Sequence, residues 1–193
     1  MLRVGITGGI GSGKTHVCKL LETIGIPIFY SDIVGKELTN TNEKIRTSII
    51  QLFGEESYKN NILNAKFVAS KVFEDKSLLK KINAIIHPEV FAAFIEWSNQ
   101  FPEEKVVALE SAVLFESGFD KYVDKSIVVT APLQVRIDRI MKRDKLTYPE
   151  VEARIKNQLT DEEREAKADF IIKNDGVEHL PSQLFAFLKA VEY

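Results

Sequence analysis

The chain has few of the residues that build covalent or metal-held scaffolds. It contains one cysteine, Cys18, and three scattered histidines in 193 residues. One thiol excludes an internal disulfide framework, and three separated imidazoles offer no Cys/His metal cluster. Cys18 lies in an apolar helical pattern and reads as a small core residue. An excess of charge is also missing. Lys and Arg number 26 against 28 Asp and Glu, a formal net charge of -2. No overall basic field therefore argues for nucleic acid or an anionic membrane as a partner. No apolar run approaches the roughly 18 residues needed to span a bilayer, and Met1 to Gly5 lacks the long apolar stretch of a secretory signal. A reducing cytoplasm is the expected location. There is no internal repeat, low-complexity tract or flexible linker, so one domain with insertions is expected.

The remaining composition is ordinary for a globular protein, with 45% hydrophobic and 28% charged residues. Arg3 to Thr7 is a short apolar run followed by a glycine-rich turn. Val17, Leu20, Leu21 and Ile24 then recur at helical spacing before Gly25 closes the segment. Ile26 to Tyr30 reads as a second strand, with Pro27 at its start. This opening predicts a parallel sheet covered by helices. From Ser31 to about Gln100 the pattern is mostly helical, and His87-Pro88 interrupts its last stretch as a helix boundary. Seventy such residues exceed one crossover helix and predict an inserted helical subdomain. Further strands are expected at Val106–Leu109, Ser126–Thr130 and Phe170–Lys173, whose unbroken apolar runs suit burial on both faces. A helix from about Val177 to Val191 closes the chain.

The strongest local signal is Gly8-Gly9-Ile10-Gly11-Ser12-Gly13-Lys14-Thr15, a glycine, four residues, then Gly-Lys-Thr. The glycines allow successive N–H groups to curl around an anion. The following helix adds the partial positive charge of its N-terminus. Lys14 supplies a cation for β- and γ-phosphates, the Thr15 hydroxyl a ligand for Mg²⁺, and His16 a backbone N–H near the α-phosphate. A glycine-rich turn that merely joins strand to helix is the bland alternative, but here the loop follows an expected strand and opens an expected helix.

Such a loop serves kinases, GTPase switches and motor ATPases alike. No Asn-Lys-x-Asp segment for reading guanine occurs, although Asp32-Ile33-Val34-Gly35 matches the short Asp-x-x-Gly of a switch. In sheets of this type ligands collect at the carboxyl ends of strands. Asp32, just past the second strand, could accept a hydroxyl proton as that oxygen attacks phosphorus, or could cap the next helix. Glu110, directly after its strand, and Glu116 are further acids at that edge, or plain surface acids. Arg136, Arg139 and Arg143 share a helical face, with Lys142 and Lys145 nearby. That face is either simply solvated or a mobile lid that screens transferring charge, with Thr147 to Asp161 as its return arm.

With these residues in place, the chain resembles the dephospho-coenzyme A kinase family from Arg3 to about Gly176. The likeness rests on Gly5 to Thr15, Asp32, Ile86-His87-Pro88 and Glu110 to Glu116 with Leu114-Phe115-Glu116. It continues through Arg139, Arg143-Asp144, Gln158, Ala168-Asp169 and Asn174-Asp175-Gly176. The resemblance implies a P-loop NTPase fold, three-layer α/β/α with a parallel core sheet (about 1–31, 104–131 and 168–193). It also implies a helical coenzyme A-binding insertion (about 32–103) and a helical, arginine-bearing lid (about 132–167). The implied reaction moves the γ-phosphate of ATP, with Mg²⁺, to the ribose 3′-hydroxyl of dephospho-coenzyme A, in a monomer or weak homo-oligomer. On that resemblance Asp32 is the base, Lys14 the phosphate clamp and Arg139 the lid contact to ATP. Gly8, Gly9, Gly11, Ser12, Gly13, Lys14, Thr15 and His16 surround the phosphates. Asn174 and Gly176 lie beside adenine, and His87, Glu110 and Leu114 face the acceptor. The family often has an acid where this chain has Tyr30, and Asp-x-Pro where it has Glu110-Ser111-Ala112. A kinase of another nucleoside or nucleotide, and a nucleotide-dependent binding switch, are the competing readings.

Overall fold

The computed structural model describes all residues from Met1 to Tyr193. The chain divides into two compact units: one made of Met1–Phe29 and Phe101–Tyr193, the other of Tyr30–Gln100.

In chain order, the elements begin with β1 (Leu2–Thr7), α1 (Lys14–Thr23), β2 (Ile28–Tyr30), α2 (Ser31–Thr41) and α3 (Glu43–Phe53). The short strands β3 (Tyr58–Lys59) and β4 (Ile62–Leu63) follow, then α4 (Ala65–Glu74) and α5 (Ser77–Ser98). The chain continues with β5 (Val106–Glu110), β6 (Lys125–Thr130), α6 (Leu133–Asp144), α7 (Tyr148–Lys156) and α8 (Asp161–Glu165). It ends with β7 (Phe170–Lys173) and α9 (Leu180–Ala190).

The central sheet has the order β2-β5-β1-β6-β7. β1 pairs in parallel with β5, Ile6 opposite Glu110, and with β6, Thr7 opposite Val128. β6 pairs in parallel with β7, Val128 opposite Ile171. Every residue of β5 is buried, as expected of a strand covered on both faces. Pro27 precedes β2, where its missing N–H costs no ladder bond, and its carbonyl accepts from Ala108 N at 2.9 Å. In α1 the apolar positions Val17, Cys18 and Leu21 fall on one face and are buried, while Gly25, at φ 92°, turns the chain out of the helix. Burial pushes the Cys18 thiol well above its ordinary pKa, with the nearby Glu110 carboxylate adding to the effect. Cys18 is the inert core residue expected.

The sequence Thr147-Tyr148-Pro149-Glu150 forms a capping box with proline in the first turn of α7, and Thr160 with Glu163 forms another at α8. These two local signals fix where the arm after α6 starts and restarts its helices.

The other unit packs around Ile45, Ile49, Tyr58, Val68 and Ile82. Two of its features differ from expectation. Residues 58–63 form an antiparallel hairpin, not helix, because Asn60 and Asn61 take φ of 50° and 65°, the paired positive angles of a tight two-residue turn. α5 also runs unbroken through His87-Pro88, with Pro88 inside the helix. The expected boundary there is overridden by packing, since Ile82, Val90 and Phe94 on both sides of Pro88 are all buried. No helix is long and apolar enough to cross a membrane.

Candidate functional site: a phosphate loop held by α6 and the β7 turn

The carboxyl ends of β1, β5, β6 and β7 lead into the loop 8–13, Ser111, Ala131 and Asn174 respectively. The loop from β1 is the centre of the arrangement. Gly13, at φ 95°, is the residue before α1, and the helix begins on Lys14 itself. A Cβ at Gly13 would collide with the Asn174 amide, so only glycine fits both the angle and the close approach. Gly9 is required for a different reason: the Arg136 guanidinium occupies the space its Cβ would take.

Lys14 Nζ donates to the carbonyl of Gly8 at 2.9 Å, so the ammonium folds back over its own loop. Thr15 and His16 are exposed at the start of α1. Ser12 Oγ and Thr7 Oγ1 are buried and lack any hydrogen-bond partner within the protein. Unused polar capacity at the base of a glycine-rich loop fits a polyphosphate site. The exposed Thr15 hydroxyl is a hard oxygen donor of the kind magnesium takes. No group of three or more His, Cys, Asp or Glu could hold a metal ion.

The three arginines of α6, grouped by spacing, have three separate fates. Arg136 is 2% exposed and donates through Nε to Ile10 O at 3.0 Å. It also pairs with Asp161 at the start of α8. It is thus a buried strut, and the expectation of a mobile cation is corrected at this position. Arg143 lies exposed and pairs with Asp144, which places it in a surface ion pair. Arg139 also reaches the loop, at Gly11 and Ser12 rather than at Ile10. Its Nη1 donates to Gly11 O and Ser12 O at 3.4 Å, and its Nη2 to Asn174 O at 2.9 Å. All three acceptors are neutral carbonyl oxygens, which leave the guanidinium charge intact for an anion.

Asn174 is buried and braces the loop through Nδ2 to Ser12 O at 2.8 Å, while its own N–H donates to Thr130 O at 2.7 Å. Gly176 follows at φ 87°. Glu110 is the last residue of β5 and is buried, rather than standing beyond the strand. Leu114 is fully buried with its methyls where a Cβ of Gly5 would lie, so it is a core side chain with no surface to offer a ligand. Glu116 accepts from Leu159 N at 3.2 Å and from Arg164 at 3.4 Å, and ties the chain before α8 rather than standing as a free acid.

Asp32 and His87 belong to the helical unit. Asp32 is exposed in the first turn of α2, whose N-cap is Tyr30 with no side-chain cap bond. The capping role weighed for Asp32 is therefore not realised. His87 is partly buried on α5. Burial lowers its pKa below the ordinary value, against the opposing pull of the Asp32 carboxylate.

A residue outside the predicted contacts joins this site. Gln158, in the turn after α7, accepts from Ile10 N at 2.9 Å through its side-chain oxygen. Only its place in the family pattern marked it, since a bond to a backbone 148 residues away has no local signature.

The family described as dephospho-CoA kinase matches residues 2–179 of this chain. The chain belongs to the dephospho-CoA kinase family. The dephospho-CoA kinase of Bacteroides fragilis (strain YCH46) is 40% identical over 190 residues, spanning 97% of this chain and 93% of that protein. Among solved structures, TT1252 from Thermus thermophilus matches with a TM-score of 0.83 and 33% identity, covering 99% of this chain and 96% of that one. The dephospho-CoA kinase from Campylobacter jejuni matches with a TM-score of 0.69 and 26% identity, covering 98% and 95%. The parallel five-stranded sheet with flanking helices is the α/β fold of P-loop kinases, and membership of this kinase family implies use of ATP.

Proposed function

We propose that this chain transfers the γ-phosphoryl group of ATP to the ribose 3′-hydroxyl of dephospho-coenzyme A, giving coenzyme A and ADP in the final step of coenzyme A biosynthesis. Family membership supports the reaction class. The observation that carries the site is the docking of Arg139 on the Gly11 and Ser12 carbonyls, on the same loop where Lys14 Nζ meets the Gly8 carbonyl. Two cations on one glycine-rich loop suit a polyphosphate whose terminal group gains and spreads charge during transfer.

In this reading Gly8, Gly9, Gly11, Ser12, Gly13, Lys14, Thr15 and His16 hold the phosphates, and Arg139 steadies the transferring group. Asn174 and Gly176 shape the turn beside adenine. Magnesium, bound with ATP and ligated by Thr15, would neutralise phosphate charge. Asp32, two residues past the end of β2, takes the proton of the 3′-hydroxyl as its oxygen bonds to phosphorus. The bond to the β–γ bridging oxygen then breaks and ADP leaves. His87 and Glu110 are the candidate acceptor-side residues.

The same reading treats about 32–103 as the coenzyme A-binding segment and about 132–167 as a lid. The protein would work in the cytoplasm as a monomer or weak homo-oligomer, with no nucleic-acid or membrane partner. Purified protein incubated with ATP, magnesium and dephospho-coenzyme A is expected to form ADP in proportion to acceptor consumed. ADP at the acceptor-free rate rejects the proposal, and a faster reaction with another nucleoside or nucleotide in an acceptor panel redirects it.

A further inference from the structure

Ile10 sits at the third position of the phosphate loop and is held in three ways. Its N–H donates to Gln158 Oε1 at 2.9 Å, and its carbonyl accepts from Arg136 Nε at 3.0 Å. Its side chain packs against a cluster of Ile137, Ile140 and Val151, together with Met141, Leu146 and Ile155. These contacts come from α6, from α7 and from the turn after α7, so both ends and the middle of the arm meet one loop residue. Arg136 is in turn held by Asp161, which also bonds Arg164. Hydrogen bonds on both sides of Ile10 restrict the two peptide planes that flank it. A loop ordered in advance loses less conformational entropy when an anion arrives.

We infer that Ile10 couples the α6–α7 arm to the phosphate loop, and that Gln158 is a positioning residue for nucleotide binding. Gln158 acts through the Ile10 amide and touches no phosphate. The inference rests on the reading of the loop as the ATP phosphate site. It assigns the arm a task in addition to carrying Arg139: keeping the loop in its binding shape.

Gln158→Met keeps the length of the side chain and removes the acceptor oxygen, which leaves a partly buried N–H unpaired. With magnesium present, its affinity for ADP by calorimetric titration is expected to fall about tenfold. Its KM for ATP should rise in step, while KM for dephospho-coenzyme A stays within about twofold. A merely structural loss would instead lower kcat through the active fraction and leave both KM values in place. Ile10→Ala, which withdraws the side chain from the cluster but keeps the amide, is the second variant and should shift ADP affinity in the same direction. Because both changes release the same residue, the double variant should weaken binding less than the product of the single effects.

ADP affinity within about twofold of wild type in both single variants overturns the inference, as does an equal rise of both KM values. Wild-type protein that fails to bind ADP overturns the nucleotide reading as well. Wild type that binds, beside variants that bind equally, overturns the coupling alone.

Discussion

Arg164 Nη2 lies 3.4 Å from Glu116 Oε1, and the Arg164 side chain is 1% exposed. The second acid on this guanidinium is Asp161, from the first turn of the same short helix. Burial pulls the Arg164 pKa below the usual arginine value, with Glu116 and Asp161 opposing that pull. The chain between β5 and β6 is thereby tied to the segment that also supplies Asp161 to Arg136.

Removing Glu116 leaves a buried cation with one weakly placed partner. Glu116→Ala should lower unfolding stability by about 2 kcal/mol, measured as a shift of the urea midpoint at constant slope. Glu116→Gln keeps an acceptor and should lose roughly half as much. Equal stability in all three proteins would show that the pair contributes nothing.

Asp32 stands in the first turn of α2 without capping it. Its replacement by Asn therefore forfeits only a first-turn charge, about 0.3–1 kcal/mol of helix stabilisation. Loss of the base should be far larger in rate: Asp32→Asn is expected to lower kcat by about 100-fold or more while ADP affinity stays near wild type. Near-normal turnover would remove Asp32 from the chemistry.

His87 gives a pH dependence of defined sign. Its pKa in the folded protein lies below the ordinary histidine value because burial disfavours the imidazolium, with Asp32 opposing. The unfolded chain takes up the proton first, so this residue's contribution to stability is complete above pH 6.5 and declines as pH falls from there. His87→Gln should flatten the decline of the urea midpoint between about pH 7 and pH 5. Identical slopes in variant and wild type would assign the decline to other groups.

The phosphate loop was legible because its chemistry is local. Gly13 needs positive φ, Lys14 must open the helix, and both demands act over a few consecutive residues. The buried strands were legible for the same reason: Val106 to Leu109 and Ile127 to Val129 have no polar alternation, and each is fully buried. Their ends were less clear. Glu110 falls inside β5 because pairing opposite Ile6 continues one residue past the apolar run. Pro88 misled because the cost of a proline in a helix is paid locally, while the gain from packing Ile82, Val90 and Phe94 appears only in the folded unit.

The sequence by itself determined the five strands of the central sheet, the anion-binding loop and the family, since these depend on backbone preferences and spacings of a few residues. Only the tertiary structure decided how the cations of α6 divide. Arg136, Arg139 and Arg143 are alike in type and spacing, yet one is buried on Ile10 and Asp161, one rests on the Gly11, Ser12 and Asn174 carbonyls, and one pairs in solvent with Asp144. Charge identity is local, but the loop carbonyls that receive Arg136 and Arg139 lie more than a hundred positions away in the chain. The bond from Gln158 to Ile10 is decided in the same way, because distant chain segments must first be brought within 3 Å before either can constrain the other.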